Sequence, residues 1–487
     1  MRQFELLDDS AVSRAIGEAG DVLSRVGVEF HDDEALGLLG DHGVRIERAQ
    51  RRAYFPTAVV ERAISSAPPS VALYDSTGVQ THDIGGDRTY FAPGSAAMHV
   101  LDGDTGGMRP PTTADYVRYV KVVGGLEHLA AQSTAFIPAD VHERISDSYR
   151  LYLSLLFGRK PVVTGTFSAA GLQVMMDLQL AVRGTADRLR ARPLAIFTCC
   201  PTSPLKWSAD ACRTLLGCGR AGVPLEIVAM PLAGFTAPVT LRGLVVQHAA
   251  EVLSGLVAHQ LAAPGAPVLY GGSSAIFDIR HETTPMGAVE TMMRACACAQ
   301  VGRTLGLPTQ GYIALSDAKL LDAQAGVETA MGATVAALAG INQVSGPGML
   351  DMENGFSLEK LVLDDQICGM ARRLRNAHAP DDEGPVVPVL QELLRDGHLL
   401  IADHTRRHLA HEIGWPSAVI DRMPLGRWIA TGGTTLASRA ATEIERLMAR
   451  YEPVPVGAEV ARALTERMTV EARHAGMARL PELSCAA

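Results

Sequence analysis

The chain has 487 residues, of which 47% are hydrophobic and 20% charged, so it can bury a large core and is not expected to be disordered as a whole. Its formal net charge of −9 at pH 7 argues against nucleic acid or an anionic membrane as the main partner. The length suits one large barrel with additions, or two or three smaller domains.

The cysteines and the N-terminus give no sign of a metal site or of a targeting segment. The eight cysteines form no CxxC pair and no histidine lies at zinc-finger spacing, so we interpret them as buried small apolar residues and expect no resident metal. The first twenty residues lack a basic segment followed by an apolar core, and no apolar run reaches the ~18 residues that a bilayer span requires. The sequence therefore predicts a cytoplasmic protein.

Residues 1–85 are expected to form a helical subdomain. Ser10 is a suitable N-cap for a first helix, and the segment DDEALGLLGDHG has the acidic start and the glycine end of a second. A third helix is predicted for PTAVVERAISSAP, which has a proline at each end. No catalytic cluster is evident, so we expect this subdomain to pack on the main body.

From residue 86 to residue 379 the sequence predicts a (β/α)8 TIM barrel. Strand-like runs are each followed by a helix-like stretch, at a spacing of ~30–40 residues. Eight such units in a row favour a closed barrel over an open sheet, and no GxGxxG motif follows an early strand. The predicted strands are 90–97, 129–137, 161–166, 193–198, 224–230, 267–270, 309–313 and 341–344. The predicted helices are 113–123, 142–157, 170–183, 207–219, 240–262, 285–306, 318–339 and 357–376.

Residues 380–487 predict a helical extension. It starts with a polar, proline-containing connection, DDEGPVVP, and continues with four segments of helical composition. We expect these helices to pack on the barrel or on the partner in a dimer, in preference to a catalytic role, and we expect a homo-oligomer.

Glycines stand at the ends of two predicted strands. The pairs Gly271 with Gly272 and Gly346 with Gly348 remove side chains where a bulky group could approach the backbone. Simple turn formation is the alternative, and for either pair taken alone it is slightly favoured. Ser273 follows the first pair directly.

Aromatic residues make up only 5% of the chain, yet several fall at predicted strand ends. Aromatic faces around one strand end can form a cage for a quaternary ammonium. Packing at the rim of the barrel is the alternative for each of them. These residues are Phe91, Phe136, Phe167, Phe235, Tyr270, Phe277 and Tyr312.

The seventh predicted strand is rich in polar groups. Gln310 and Tyr312 lie in this strand, and Asp317 follows it. The carboxyl ends of barrel strands are where catalytic residues are placed. Asp317 is also a suitable N-cap for the next helix.

Several segments together resemble the trimethylamine methyltransferase family, from about residue 5 to about residue 450. They are specific to the superfamily and not to one substrate. The segments are LLDDSAVSRAIGEAGDVLSRVGVEF, FAPGSAAMHVLDGDTGGMRPPTTAD, MPLAGFTAPVT, LYGGSSAIFDIR, SDAKLLDAQAGVE, SGPGML, SLEKLVLDDQ and HTRRHLAHEIGWP.

This resemblance implies a (β/α)8 enzyme that moves a methyl group from a methylamine to the Co(I) of a separate corrinoid protein. The founding trimethylamine enzymes carry pyrrolysine in the barrel, whereas residues 345–353, where we expect it, are ordinary amino acids. The chain is therefore similar to the non-pyrrolysine branch, whose substrates include glycine betaine, proline betaine and carnitine-type compounds.

The chemistry implied by the resemblance needs orientation and desolvation of the substrate cation, because the leaving group is already a neutral tertiary amine. We expect Gln310, Tyr312 and Asp317 to be catalytic, with His281 among the candidate donors to a betaine carboxylate. The remaining predicted substrate-binding residues are Phe91, Phe167, Phe235, Tyr270, Gly271, Gly272, Ser273, Gly346 and Gly348. The alternatives are another methyl donor (a tertiary amine, a carnitine-type compound or a sulfonium) and a non-catalytic ligand-binding barrel.

Overall fold

The computed structural model describes residues 4–103, 105–376, 384–453 and 456–483. Its helices are α1 Asp9–Asp21, α2 Asp33–Asp41, α3 Thr57–Ser66, α4 Thr113–Gly125, α5 Ser146–Phe157, α6 Ala169–Arg183, α7 Ala186–Ala191, α8 Ala209–Ala221, α9 Leu241–Ala262, α10 Val289–Thr304, α11 Ala323–Ala339, α12 Leu358–Arg375, α13 Val386–Asp396, α14 Asp403–Glu412, α15 Leu425–Ala430, α16 Leu436–Ala449 and α17 Ala458–His474. Its strands are β1 Val28–Phe30, β2 Arg45–Glu47, β3 Arg52–Tyr54, β4 Ser70–Tyr74, β5 Gln80–Gly85, β6 Tyr90–Ala92, β7 His99–Leu101, β8 Met108–Arg109, β9 Gln132–Ser133, β10 Val162–Gly165, β11 Ala195–Cys199, β12 Lys206–Trp207, β13 Leu225–Ala229, β14 Leu232–Ala233, β15 Val268–Gly272, β16 Ala275–Ile276, β17 Gln310–Tyr312, β18 Gln343–Ser345, β19 Met349–Leu350 and β20 Gly355–Phe356.

Eight parallel strands form a closed ring. One sheet has the order β15-β13-β11-β10-β9 and another the order β17-β18-β6. Parallel bridges from Phe91 to Leu129 and from Tyr270 to Thr309 join these two sheets at both edges. A helix follows each of the eight strands, so the predicted (β/α)8 barrel is confirmed.

Most of the outer helices begin at a side chain that caps them. Thr112 and Asp115 form a capping box at the start of α4, and Asp322 accepts hydrogen bonds from two backbone N–H groups at the start of α11. The helix after the seventh strand therefore begins at Ala323, five residues later than predicted, and the suggestion that Asp317 caps it is wrong.

A hairpin covers the N-terminal opening of the barrel. Strands β4 and β5 pair in antiparallel fashion, and Val71, Leu73 and Ile84 pack in one cluster with residues of five barrel strands. Backbone bonds fix the hairpin to the segments that precede two of those strands, from Tyr74 N to Pro193 O and from Ser76 N to Arg159 O. The barrel members of this cluster are Ala92, Ala131, Val163, Ile196 and Leu269.

The first 85 residues are not purely helical, in contrast to the prediction. The three expected helices α1, α2 and α3 are present, but β1, β2 and β3 pair with one another and with β12 of the main body. These strands are only three residues long, which is too short for a two-residue alternation to stand out in the sequence. The cap of α1 is Asp8, which accepts from Ala11 N, whereas Ser10 lies inside the helix.

The C-terminal helices differ in how they pack. Helix α16 packs on α12 and α4, and α17 packs on α5 and α6. Helices α13, α14 and α15 contain no buried residue. The predicted boundary between residues 379 and 380 and the predicted burial of Cys485 lie outside the described residues, and the division into three domains stays a prediction.

The described cysteines are free, and six of the seven are buried, as predicted. None of the described helices combines the length and the apolar character that a bilayer crossing demands. The cytoplasmic location stays a prediction.

Candidate active site

Strand register shows which side chains point into the barrel. Residues paired on neighbouring strands share a face of the sheet. Glu226 pairs with Leu269, and Gln343 pairs with Tyr90, and both partners pack with the hairpin cluster inside the barrel. Gln310 pairs with Gln343 and Tyr312 with Ser345. Five polar residues on the three strands β13, β17 and β18 therefore face the interior: Glu226, Gln310, Tyr312, Gln343 and Ser345.

This interior holds a cluster of polar atoms that are buried and have no hydrogen-bond partner among the described residues. Buried polar atoms are almost always paired, so such a cluster indicates a place for a polar ligand or for water. The atoms are Glu226 Oε2, Gln310 Nε2, Gln343 Oε1 and Nε2, Ser345 Oγ and Glu353 Oε1.

Glu226 is the acidic residue deepest in this interior. It is 1% exposed, and its Oε1 accepts a hydrogen bond of 2.5 Å from Thr198 Oγ1. Burial raises the pKa of its carboxyl to about 7. The sequence analysis missed this residue, although a lone acid in the otherwise apolar strand LEIVA was a usable signal.

Glu353 is a second acid at the barrel mouth, on a turn of unusual backbone conformation. Asp351, Met352 and Glu353 have φ angles of 49°, 53° and 73°, which residues other than glycine rarely adopt. Burial, and then the charge of Asp317, raise the pKa of Glu353 to about 8. Glu226 and Glu353 both add to the raised pKa of Cys200, so this thiol lies near both acids.

Tyr312 holds the loop that follows the first strand. Its hydroxyl accepts from Ser95 N at 2.6 Å and donates to Ser95 O at 2.9 Å. A Cβ on Gly94 would come within 2.5 Å of that hydroxyl and would overlap Met349, so only glycine fits there. Tyr312 therefore positions backbone at the mouth, and its predicted catalytic role stays a prediction.

Asp317 connects two loops at the mouth. Its Oδ1 accepts from Met286 N and its Oδ2 from Gly287 N, both at 2.9 Å. Burial raises the pKa of the carboxyl to about 6 against the lowering effect of these bonds. With both oxygens occupied, the geometry supports a positioning role, and a catalytic role stays a prediction.

Gln310 presents to the interior an amide nitrogen that has no partner in the part of the chain that the structure describes. Its Oε1 accepts from Gly272 N at 3.0 Å. A Cβ on Gly271 would lie 2.8 Å from Gln310 Oε1, so this glycine makes room for the amide. Gly272 points the other way, because a Cβ there would collide with His248 on α9.

The predicted aromatic cage is not assembled. Tyr270 points into the helix layer, where its hydroxyl lies 3.2 Å from His248 Nδ1, and Phe91 is fully buried on the outward face of its strand beside Val344. Phe235 is 67% exposed and stacks on Phe277 with ring centroids 4.7 Å apart. Phe167 lies at the rim with the Arg150 guanidinium 5.1 Å from its ring centroid. Side chains alternate between the two faces of a strand, and the sequence alone did not show which residues face the barrel interior.

The glycines after the eighth strand allow close backbone packing. A Cβ on Gly346 would lie 2.8 Å from the carbonyl carbon of Ala314, and one on Gly348 would lie 2.5 Å from the Phe356 ring. Gly348 N donates to Asp364, which is paired with Lys360 in a fully buried ion pair. Ser273 is also buried, and its N–H donates to Ala229 O, whereas His281 is exposed on an outer turn.

A cavity of about 440 Å³ opens at the ends of the first four barrel strands. It lies at the carboxyl end of the barrel, where ligands bind in this fold. No group of three or more His, Cys, Asp or Glu residues suited to a metal ion occurs within the described ranges. The cavity is lined by Ser95, Ala96, Thr134, Arg150, Gly165, Thr166, Phe167, Thr198, Cys199, Cys200, Ser208, Asp210, Ala211 and Thr214.

Comparisons with known proteins agree with this geometry. Residues 1–478 match the family described as trimethylamine methyltransferase (MTTB). The chain is 29% identical over 444 residues to a trimethylamine methyltransferase of Desulfitobacterium hafniense, covering 91% of this chain and 89% of the relative. It is 28% identical over 460 residues to a glycine betaine methyltransferase of the same species, covering 94% and 95%. The crystal structure of the Methanosarcina barkeri monomethylamine methyltransferase has the same fold, with a TM-score of 0.54 at 11% identity, over 98% of this chain and 89% of that one.

Proposed function

Because the chain belongs to the trimethylamine methyltransferase family, and is thus a methyltransferase, we propose that it moves a methyl group from a quaternary amine to the Co(I) of a separate corrinoid protein. We propose glycine betaine or a similar betaine as the substrate, in line with the named activity of one relative. The observation that carries the proposal is the pair of acids Glu226, inside the barrel, and Glu353, at its mouth, each with a buried oxygen that has no partner among the described residues.

Two acids that each bury a carboxylate oxygen near an open cavity suit a cationic ligand. Each acid has a raised pKa, because a carboxylate without a counter-charge is unfavourable in a buried site. A quaternary ammonium supplies that counter-charge. Because it has no N–H to donate, a site recognises it by opposite charge and matching shape and not by directed hydrogen bonds. The amide of Gln310 and the hydroxyl of Ser345 remain to orient polar parts of the substrate.

The residues of the mouth hold the substrate in place and exclude water. The C–N electron pair stays on the departing tertiary amine, and Co(I) supplies the pair for the new bond to the methyl carbon. The leaving amine is neutral, so no proton has to be delivered at this step. Tyr312 and Asp317 keep the surrounding loops in place, which preserves the geometry on which such transfers depend.

The corrinoid protein is expected to dock on the carboxyl face of the barrel. The hairpin of β4 and β5 covers the opposite opening, so a methyl group held near Glu226 is reachable only from the mouth. Cobalamin carried by a partner is therefore the cofactor that we propose.

Methylation of cobalt tests the proposal directly. We expect the purified enzyme, mixed with its reduced corrinoid protein, to convert Co(I) to methyl-Co(III) when glycine betaine is added, as followed by the visible spectrum. Dimethylglycine and trimethylamine serve as tertiary-amine controls, and a methylated sulfonium tests the alternative donor. Binding of betaine without any spectral change would instead indicate a non-catalytic barrel.

We also propose that the chain forms a homo-oligomer through an arm made of α13, α14 and α15. The three helices of the arm have no buried residue, and large apolar side chains are exposed on these helices and on the loops between them. Glu412 O accepts from Arg373 near the end of α12, and Arg375 of the same turn donates to Asp87 O below the first strand. The arm thus lies at the end of the barrel away from the mouth, which favours a second copy over the corrinoid protein. The most exposed side chains are Leu394, Leu400, Ile401 and Trp415.

Light scattering after size exclusion tests the arm. We expect the wild type to be at least a dimer and a Leu394→Glu, Leu400→Glu variant to have a lower mass, because charges on an apolar interface lose its burial energy. Val79→Glu, at the tip of the hairpin, is a matched exposed control that should keep the mass of the wild type. A monomeric wild type contradicts this proposal.

A further inference from the structure

Arg150 is a buried cation that forms no ion pair among the residues that the structure describes. It lies on α5 with 1% exposure; its Nε donates to Ser146 O at 3.0 Å and its Nη1 donates to Thr134 O at 2.8 Å. No carboxylate lies within the 4 Å of an ion pair among the residues that the structure describes. A buried charge without a partner is expensive, so an arginine in such a place indicates an anion that arrives from outside.

The acid closest along the helix is already engaged. Asp147 accepts from Ser148 N at 2.6 Å, and its other oxygen accepts from Phe167 N and from Thr166 Oγ1, both at 2.9 Å. These bonds hold the Asp147 carboxylate on the loop after the third strand. The Arg150 guanidinium is left facing the ring of Phe167 and the cavity.

The cavity of about 440 Å³ borders Arg150 on one wall and Thr198 on another. Thr198 donates to Glu226, so the acidic interior begins where this wall ends. The strands that carry Thr134 and Thr198 are two strand spacings apart, which is about 10 Å. A single small molecule can therefore be close to the guanidinium and to the acids at once. Asp210, on the α8 side of the cavity, accepts from Ala169 N and lies at the outer opening.

We infer that Arg150 binds the carboxylate of a zwitterionic substrate whose ammonium end lies toward Glu226 and Glu353. The inference rests on the proposed function and deepens it, because it makes the anionic end of the substrate part of the recognition. Arginine presents parallel N–H groups that match a carboxylate. The opposite charges at the two ends of the site fix the direction of the substrate. A quaternary amine that lacks a carboxylate has no group to pair with Arg150 and therefore binds less tightly.

Calorimetric titration with two ligands of one shape tests this inference. The ligands are glycine betaine and its primary amide, which keeps the trimethylammonium group and replaces the carboxylate. We expect the wild type to bind the betaine at least about 30-fold more tightly, since loss of one partner of a buried charge pair has an effect of this size. In Arg150→Met the preference should fall to within about threefold, while binding of the amide changes little. Arg188→Met, exposed on α7, is the control.

The titrations distinguish a failure of the role given to Arg150 from a failure of the proposed substrate class. A wild type that binds both ligands equally overturns the role of Arg150, and so does a preference that persists in Arg150→Met. If Arg150→Met does not fold, Arg150→Lys is used instead, because it keeps the positive charge and lacks the parallel N–H groups of the guanidinium. An affinity for the betaine and a preference over the amide that are both unchanged in this variant argue against a carboxylate held by the guanidinium. A wild type that binds neither ligand contradicts the proposed substrate class itself.

Discussion

A Glu226→Gln variant is expected to lose affinity for quaternary ammonium ligands at pH 8, by about 30-fold or more, and to be more stable than the wild type at that pH. Glutamine keeps the shape of the side chain and can still accept from Thr198, but it carries no charge for the cation. Since burial raises the pKa of Glu226 from 4.5 to about 7, the ionised carboxylate lowers the free energy of unfolding by about 3 kcal/mol above pH 7.

The sign of the stability change follows from that raised pKa. The folded state holds its proton more tightly than the unfolded state, so this contribution to stability is complete below about pH 4.5 and is lost as the pH rises to about 7. Calorimetric unfolding at pH 5 and pH 8 therefore separates the two forms, with a much larger gain from Glu226→Gln at pH 8 than at pH 5. Glu459→Gln, on the exposed start of α17, is the control. A variant that loses stability at pH 8 and keeps its affinity for betaine would falsify the role given to this acid.

Binding of a quaternary ammonium is expected to release protons near pH 7. The carboxyls of Glu226 and Glu353 have pKa values raised to about 7 and 8 in the free site, so at pH 7 Glu226 is about half protonated and Glu353 is largely protonated. A bound cation favours the ionised forms and lowers both pKa values. Below pH 7, the affinity for the quaternary ammonium should therefore weaken with each pH unit. The factor is about tenfold for each proton that binding releases.

Titrations in two buffers of different ionisation enthalpy measure this release. The groups that face the two acids, and that must be considered in the same titration, are Asp317, Cys200 and Tyr312. Glu226→Gln should reduce the number of protons released, whereas Glu459→Gln should not. An affinity that stays constant between pH 6 and pH 8 is incompatible with a cation bound beside protonated acids.

The barrel was predictable because its signal repeats eight times. Each apolar strand and its helix need about the same length of chain, so the period survives errors at single elements. The hairpin of β4 and β5 was missed, because a short pair of strands that fills the end of a barrel has no repeat to support it. The short strands β1 to β3 were missed for the same reason.

A site residue was predictable only where a residue chosen for its position at a strand end also points its side chain into the barrel. Gln310 and Tyr312, which were predicted to be catalytic, face inward in the structure, and Gly271 faces inward beside them, whereas the catalytic roles stay predictions. Tyr270 lies one position from Gly271 and points the opposite way, because neighbouring residues of a strand face opposite sides. Glu226 and Arg150 were missed because Glu226 is a single acid in an otherwise apolar strand and Arg150 lies inside a helix, whereas the fold rule points to the carboxyl ends of the strands.

The hairpin that covers one end of the barrel also has a kinetic consequence. The amine and the corrinoid protein both approach through the mouth of the barrel, so the amine has to bind before the corrinoid protein does. The demethylated product then leaves only after the protein partner has withdrawn. Turnover should accordingly show a compulsory order of addition, with excess corrinoid protein slowing the reaction by trapping the empty enzyme.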